Sequence, residues 1–236
     1  MTEIKVNQGS YDPGRFGQTV DVDLVLCMDA SASMAPRMRL TKDSALELPK
    51  EIISEAVTQG KKVGRVRVKV IAFRDYRTDG AYAMQLTDFF EYPAEKEELG
   101  GLMAEIYAAG GGEEPENALE ALAYAMDSDW QAAVPGHERR QIIAFWTDGT
   151  AHPLGVGRDS TYYDPNLPKR FEELTALWNE RMDHDARRMV LFAPRVKPWT
   201  TLEGCWENVI LYPSNAGCEL TRAQWYEAVF RMVKNG

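Results

Sequence analysis

The sequence predicts an α/β fold in which a mostly parallel central sheet is covered by helices on both faces and carries one antiparallel edge strand. Short apolar runs alternate with helix-length amphipathic segments, the pattern of strands joined by helical crossovers. The two strongest runs, VDLVLCM at 22–28 and QIIAFW at 141–146, each stop at a cluster of small polar residues. Runs of that length bounded by turn residues read as buried strands.

Residues 1–19 are rich in glycine and polar groups and read as an arm; residues 20–236 read as one domain. After the first strand, residues 36–58 read as a helix closed by Gly60, with Leu46, Ile52, Ile53, Ala56 and Val57 on its buried side. Pro49 inside it predicts a kink or a break. Residues 65–73 alternate Val66, Val68 and Val70 with Arg67 and Lys69, which is a strand period. A third strand is expected over 84–90, after Thr78-Asp79-Gly80, and the short connection makes the pair an antiparallel hairpin.

Residues 94–109 read as a helix stopped by Gly110-Gly111-Gly112. A further helix opens at Pro115, with Ala118, Leu119, Leu122, Ala123 and Met126 at helical spacing. Beyond the 141–146 strand come a helix over 171–183, a strand over 188–193 and a short strand over 208–211. Thr221-x-x-Gln224 resembles a capping box, opening a last helix that buries Trp225, Ala228, Val229 and Met232.

At 236 residues the chain suits one domain with a large core. Lys and Arg number 27 against 36 Asp and Glu, a net charge of −9 that argues against nucleic-acid or anionic-membrane binding. Cys27, Cys205 and Cys218 are odd in number and widely spaced, which is neither a disulfide framework nor a thiolate zinc site. Cys27 falls inside an apolar run and reads as a small core residue. The amino-terminal stretch has no apolar segment of the signal-peptide kind, and no apolar run is long enough to span a bilayer, so a cytoplasmic setting is expected.

Three polar turns fall where such a fold places ligands, beyond the carboxyl ends of the strands. They are Asp29-x-Ser31-x-Ser33, Gly110-Gly111-Gly112-Glu113-Glu114 and Thr147-Asp148-Gly149. Together they offer hydroxyls and carboxylates without a thiolate. Oxygen ligands suit a hard cation, and Mg²⁺ in particular, with Mn²⁺ or Ca²⁺ as alternatives.

Asp29-Ala-Ser31-Ala-Ser33 after VDLVLCM resembles the Asp-x-Ser-x-Ser signature of the von Willebrand factor A domain family. That resemblance covers roughly residues 20 to 234. It implies a Rossmann-like three-layer α/β/α sandwich with a metal-ion-dependent adhesion site, completed by a threonine from a second loop and an aspartate from a third. Asp148 in AFWTDGTAH looks like that aspartate. AFRDY at 72–76, GGGEEPE at 110–116 and TDGTAH at 147–152 are similar to A domains of certain alpha-kinase proteins and their bacterial relatives. There the second loop reads Gly-Gly-Gly-Asp-x-Pro-Glu, so Glu113 stands for the acid. The implied ligands are Asp29, Ser31, Ser33, Glu113 and Asp148, with Gly112, Glu114, Thr147 and His152 at the rim or behind it.

Each feature also has a plainer use. Glu113 and Glu114 place negative charge near a helix amino terminus, where it is favourable anyway. His152 reads equally as a packed histidine, and Arg74 and Asp75 as a buried pair that shapes a loop. Tyr162 and Tyr163 lie in a long loop, as anchors for a partner or as packing.

The functional expectation is a metal-binding interaction module, not an enzyme, whose rim docks another protein. The bacterial relatives point to a signalling or stress and defence system, with a kinase, phosphatase or ATPase as partner. A metal-dependent hydrolase using the same carboxylates, with His152 as its one candidate base, is the alternative, and a purely structural fold is the third. With Glu113 as an extra carboxylate, Glu113→Ala is expected to weaken Mg²⁺ binding and to strengthen metal-dependent capture of an acidic peptide. Isothermal titration with each would show this; unchanged affinities would count against Glu113 as a ligand.

Overall fold

The computed structural model describes residues 17–112 and 115–234, so the expected arm falls almost wholly outside the described residues. Among the described residues, seven strands form one sheet: β1 (Thr19–Asp29), β2 (Lys62–Phe73), β3 (Met84–Leu86), β4 (Phe90–Tyr92), β5 (His137–Trp146), β6 (Arg187–Ala193) and β7 (Val209–Pro213). The helices are α1 (Met38–Thr58), α2 (Lys96–Glu105), α3 (Ala118–Met126), α4 (Phe171–Glu180), α5 (Trp199–Cys205) and α6 (Arg222–Val233). The strand order is β3-β2-β1-β5-β6-β7, with β4 also paired to β2. β1, β2, β5, β6 and β7 run parallel, and β3 and β4 are antiparallel to β2.

β1 is the middle of this sheet, and every residue from Val20 to Asp29 is buried. Leu24, Leu26 and Met28 face a core built with α1, α2 and α6, while Val25 and Cys27 face a second core built with α3, α4 and α5. Two cores, one on each face, make the three-layer α/β sandwich. They also explain why β1 and β5 read as continuous apolar runs rather than alternating ones.

Several elements differ in detail from the sequence reading. α1 continues through Pro49 without a break. Met38, Ala45, Leu48, Pro49, Ile52 and Ala56 form its buried face, Leu46 and Ile53 flank it, and Val57 is exposed. Burial of that face offsets the one helical hydrogen bond that proline cannot donate. The expected strand over 84–90 is two short strands on one edge of β2: Met84 pairs with Phe73, and Tyr92 pairs with Val66. Between them Thr87 stays bonded to β2, its N–H donating to Val70 O at 3.1 Å and its Oγ1 accepting the Val70 N–H at 3.0 Å.

α3 begins at Ala118 rather than Pro115, because Asn117 is committed elsewhere: its Oδ1 accepts the Tyr76 N–H at 2.8 Å. The seven-residue α5 is too short to show a period in sequence, yet Trp199 and Leu202 are fully buried. The capping box forms as expected, with the Thr221 hydroxyl accepting from Gln224 N–H and the Gln224 side chain accepting from Thr221 N–H.

β1 contains three buried acids, Asp29 at its end and Asp21 and Asp23 before it. Asp23 lies directly across from Arg67 in the β1–β2 register and takes two guanidinium bonds, at 2.8 and 2.7 Å. It also accepts the Gln131 N–H at 2.6 Å. Asp21 accepts the Arg65 N–H at 2.8 Å where β2 carries a bulge, and a Cβ on Gly64 would sit 2.1 Å from the Asp21 oxygen. Only glycine lets that carboxylate approach the backbone so closely. Asp23→Ala would leave the Arg67 guanidinium buried without its carboxylate and is expected to cost about 3–5 kcal/mol in urea denaturation. A double replacement of both partners by apolar residues is expected to recover much of that loss.

Candidate metal centre

Asp29 is the last residue of β1, and Thr147 follows the last residue of β5, its parallel neighbour. The chain leaves β1 toward β2 on one side, while β5 lies on the other, so the two strand ends flank a topological switch point. There the strand ends part and leave room for loops to converge. β1 and β5 thus deliver the first and third polar turns to one spot.

The turn after β1 closes on the Asp29 carboxylate. Asp29 Oδ1 accepts the Ser31 backbone N–H at 2.9 Å and the Ser31 hydroxyl at 2.6 Å. Asp29 Oδ2 accepts the Thr147 hydroxyl at 2.7 Å, and Thr147 Oγ1 in turn accepts the Gly149 N–H at 3.1 Å. Ser31 Oγ lies 3.0 Å from Ser33 Oγ, and Ser33 Oγ donates to Asp148 Oδ1 at 2.9 Å. An unbroken line of oxygens therefore runs from Asp29 through both serines to Asp148. Short side chains at 31 and 33 are needed for this, because each oxygen must stay near its own backbone.

Burial dominates the electrostatics. It pushes the Asp29 carboxyl up from 3.8 to about 6, against hydrogen bonds from Ser31 and Thr147 that favour the anion, and the Asp148 charge adds to the rise. Asp29 thus has donors but no cation among its bonded partners. Asp148 does have one: Arg37 Nη1 lies 3.0 Å from its Oδ2.

The glycine loop packs directly on the first turn. Gly110, Gly111 and Gly112 all have positive φ, at 64, 81 and 59°, a run that side-chain-bearing residues avoid. A Cβ on Gly111 would lie 2.6 Å from the Ser31 Cβ. Ala32 N–H donates to Gly110 O at 3.2 Å, and Ala109 N–H to Ala30 O at 3.0 Å, so the two loops share a short ladder. Arg74 braces both: its Nε donates to Ala30 O at 2.9 Å and its Nη2 to Tyr107 O at 2.8 Å. Trp199 braces the third loop through Nε1, which donates to Gly149 O at 2.8 Å.

Asp29, Ser31, Ser33, Thr147 and Asp148 are therefore brought together, while Glu113 and Glu114 lie outside the described residues. Gly112 packs against Thr78. His152 sits apart from the oxygen line, with Nε2 3.9 Å from Asp75 Oδ2, and burial lowers its pKa. Arg74 and Asp75 are both buried but serve different partners rather than each other: Asp75 Oδ1 accepts the Arg77 N–H at 2.9 Å. Tyr163 packs edge-on against Tyr76, whereas Tyr162 is exposed. The sequence reading missed Arg37, whose place on Asp148 depends on a contact 111 residues away.

The donor set fits a hard divalent cation. Two carboxylates and three hydroxyls converge, and a buried carboxylate without a bonded cation is a group that a metal ion would stabilise. Among the described residues, no group of three or more His, Cys, Asp or Glu is placed to hold an ion.

Comparison with protein-family models and with curated proteins finds no match. Solved structures do share the fold. The pilus adhesin SpaC of Lactobacillus rhamnosus GG aligns over 93% of this chain with a TM-score of 0.58 and 11% identity. Proximal thread matrix protein 1 from the mussel byssus aligns over 92% with a TM-score of 0.52 and 13% identity. The chain spans 31% and 49% of those proteins, respectively.

Because the folded-state pKa of Asp29 is raised, the folded protein holds this proton more tightly than the unfolded chain. Its contribution to stability is complete below the ordinary value of 3.8 and is lost as pH rises through about 6. In EDTA, the wild-type protein is expected to lose on the order of 2–3 kcal/mol more than Asp29→Asn between about pH 4 and about pH 7. Urea denaturation across that range measures the difference, and parallel curves would contradict it.

Proposed function

We propose that this chain is a von Willebrand factor A-type interaction module that holds a divalent cation, Mg²⁺ foremost, and docks another protein at the rim around it. Asp29, Ser31, Ser33 and Asp148 would hold the ion, with Glu113 as the further carboxylate. The observation that carries this reading is the line of oxygens from Asp29 to Asp148 across the ends of β1 and β5. Bound there, the ion would supply the positive charge that the buried Asp29 otherwise lacks and would tie the first and third loops together.

Exposed aromatics favour a docking role for the surrounding loops. Tyr82, Tyr107 and Tyr162 are 57%, 58% and 59% exposed on loops at this end of the sheet. Tyrosines with apolar bodies and polar tips are frequent anchors in protein interfaces. No helix among the described residues is long and apolar enough to cross a membrane. Free Cys27, Cys205 and Cys218 fit the reading of a cytoplasmic module in a bacterial signalling or defence system.

Isothermal titration of MgCl₂ into the metal-free protein is expected to show binding that Asp148→Ala weakens by at least about tenfold, a loss of about 1.4 kcal/mol. No Mg²⁺ binding by the wild-type protein would leave a purely structural domain. Phosphatase and nuclease assays with Mg²⁺ and Mn²⁺ test the hydrolytic alternative. Metal-dependent turnover that disappears in Asp148→Ala would replace the binding module with an enzyme.

A further inference from the structure

Arg37 immediately precedes α1, and its guanidinium reaches back over the first turn. Nη1 donates to Asp148 Oδ2 at 3.0 Å and to the Ser33 carbonyl at 3.2 Å. The other Asp148 oxygen is taken by the Ser33 hydroxyl. Both oxygens of this carboxylate are thus engaged, one by a hydroxyl and one by a full positive charge. The Arg37 side chain is 30% exposed and that of Asp148 7%, so the guanidinium lies toward solvent from the carboxylate.

Resting on the metal-site reading above, we propose that Arg37 is a resident cation that must leave Asp148 before a divalent ion is held tightly. Arg37 balances part of the charge of Asp148. A divalent ion engaging Ser33 and Asp148 would meet this guanidinium as a like charge on the same groups. Mg²⁺ sheds its water reluctantly, so a competitor already hydrogen-bonded to the carboxylate raises the concentration at which the ion binds. Arg37 thereby sets the threshold of the site and keeps the first and third loops joined below it.

Titration of Mg²⁺ and Mn²⁺ into wild type, Arg37→Gln and Arg37→Lys tests this, with circular dichroism confirming that each variant is folded. Arg37→Gln is expected to bind about two- to fivefold more tightly, the scale of one partly exposed ion pair. Arg37→Lys keeps the charge without the planar fork and should fall between Arg37→Gln and wild type. Binding by Arg37→Gln alone would support the proposal in its strongest form. Equal or weaker binding by Arg37→Gln, with wild type binding, would overturn it while leaving the metal site intact. Absence of binding in both wild type and Arg37→Gln would remove the metal reading and this proposal together.

Discussion

Asp29 is a carboxylate enclosed at the end of the innermost strand, and much of the surrounding structure answers to it. In an apolar interior such a group keeps its charge only if donors surround it. Ser31 and Thr147 supply them from the two turns that follow β1 and β5. Those turns can meet only because β1 and β5 are adjacent and parallel and end at the same level. The sheet order, the small residues after each strand and the burial of Asp29 are therefore one constraint seen at three scales. Even so, burial favours its protonation well above the ordinary carboxylate range.

Besides the side-chain bonds within the oxygen line, the loops are held by side chains from neighbouring elements that bond their backbone carbonyls. Arg74 takes the carbonyls of Ala30 and Tyr107, and Trp199 takes that of Gly149. Carbonyls in tight turns would otherwise be left without donors when water is excluded. Buried donors reaching from neighbouring elements satisfy them and fix the turns in place. The oxygen line of the candidate centre thus rests on a frame that involves β2 and α5 as well as the strands that carry it.

Features written in contiguous residues were legible from sequence. The runs at 22–28 and 141–146 announce the two central strands, and Asp-x-Ser-x-Ser and Thr-Asp-Gly announce the turns after them, because strand burial and turn geometry are local demands. Thr221 and Gln224 form their capping box for the same reason. What escaped sequence reading depends on contacts between distant segments. Asp23 looks like an interruption of an apolar run until Arg67 is placed across from it, 44 residues on. α3 starts late because Asn117 answers to Tyr76, and α5 is shorter than two helical turns, too brief for its period to show. Thr147, expected at the rim, proves to hold Asp29 directly because its strand lies beside β1.

The Asp23–Arg67 pair has a consequence for how the chain assembles. β1 and β2 are parallel and joined through the 21 residues of α1, so no tight hairpin dictates which residue meets which. Apolar side chains alone would tolerate a shifted alignment, since valines follow one another along both strands. A slip by one residue would turn Arg67 away from Asp23 and leave two opposite charges enclosed and apart. The ion pair thereby works as a register key: a misaligned sheet is penalised within β1 and β2 themselves, away from the turns at their carboxyl ends. The geometry at Asp29 is in this sense proofread about six residues upstream, at a distance of roughly 20 Å along the strand.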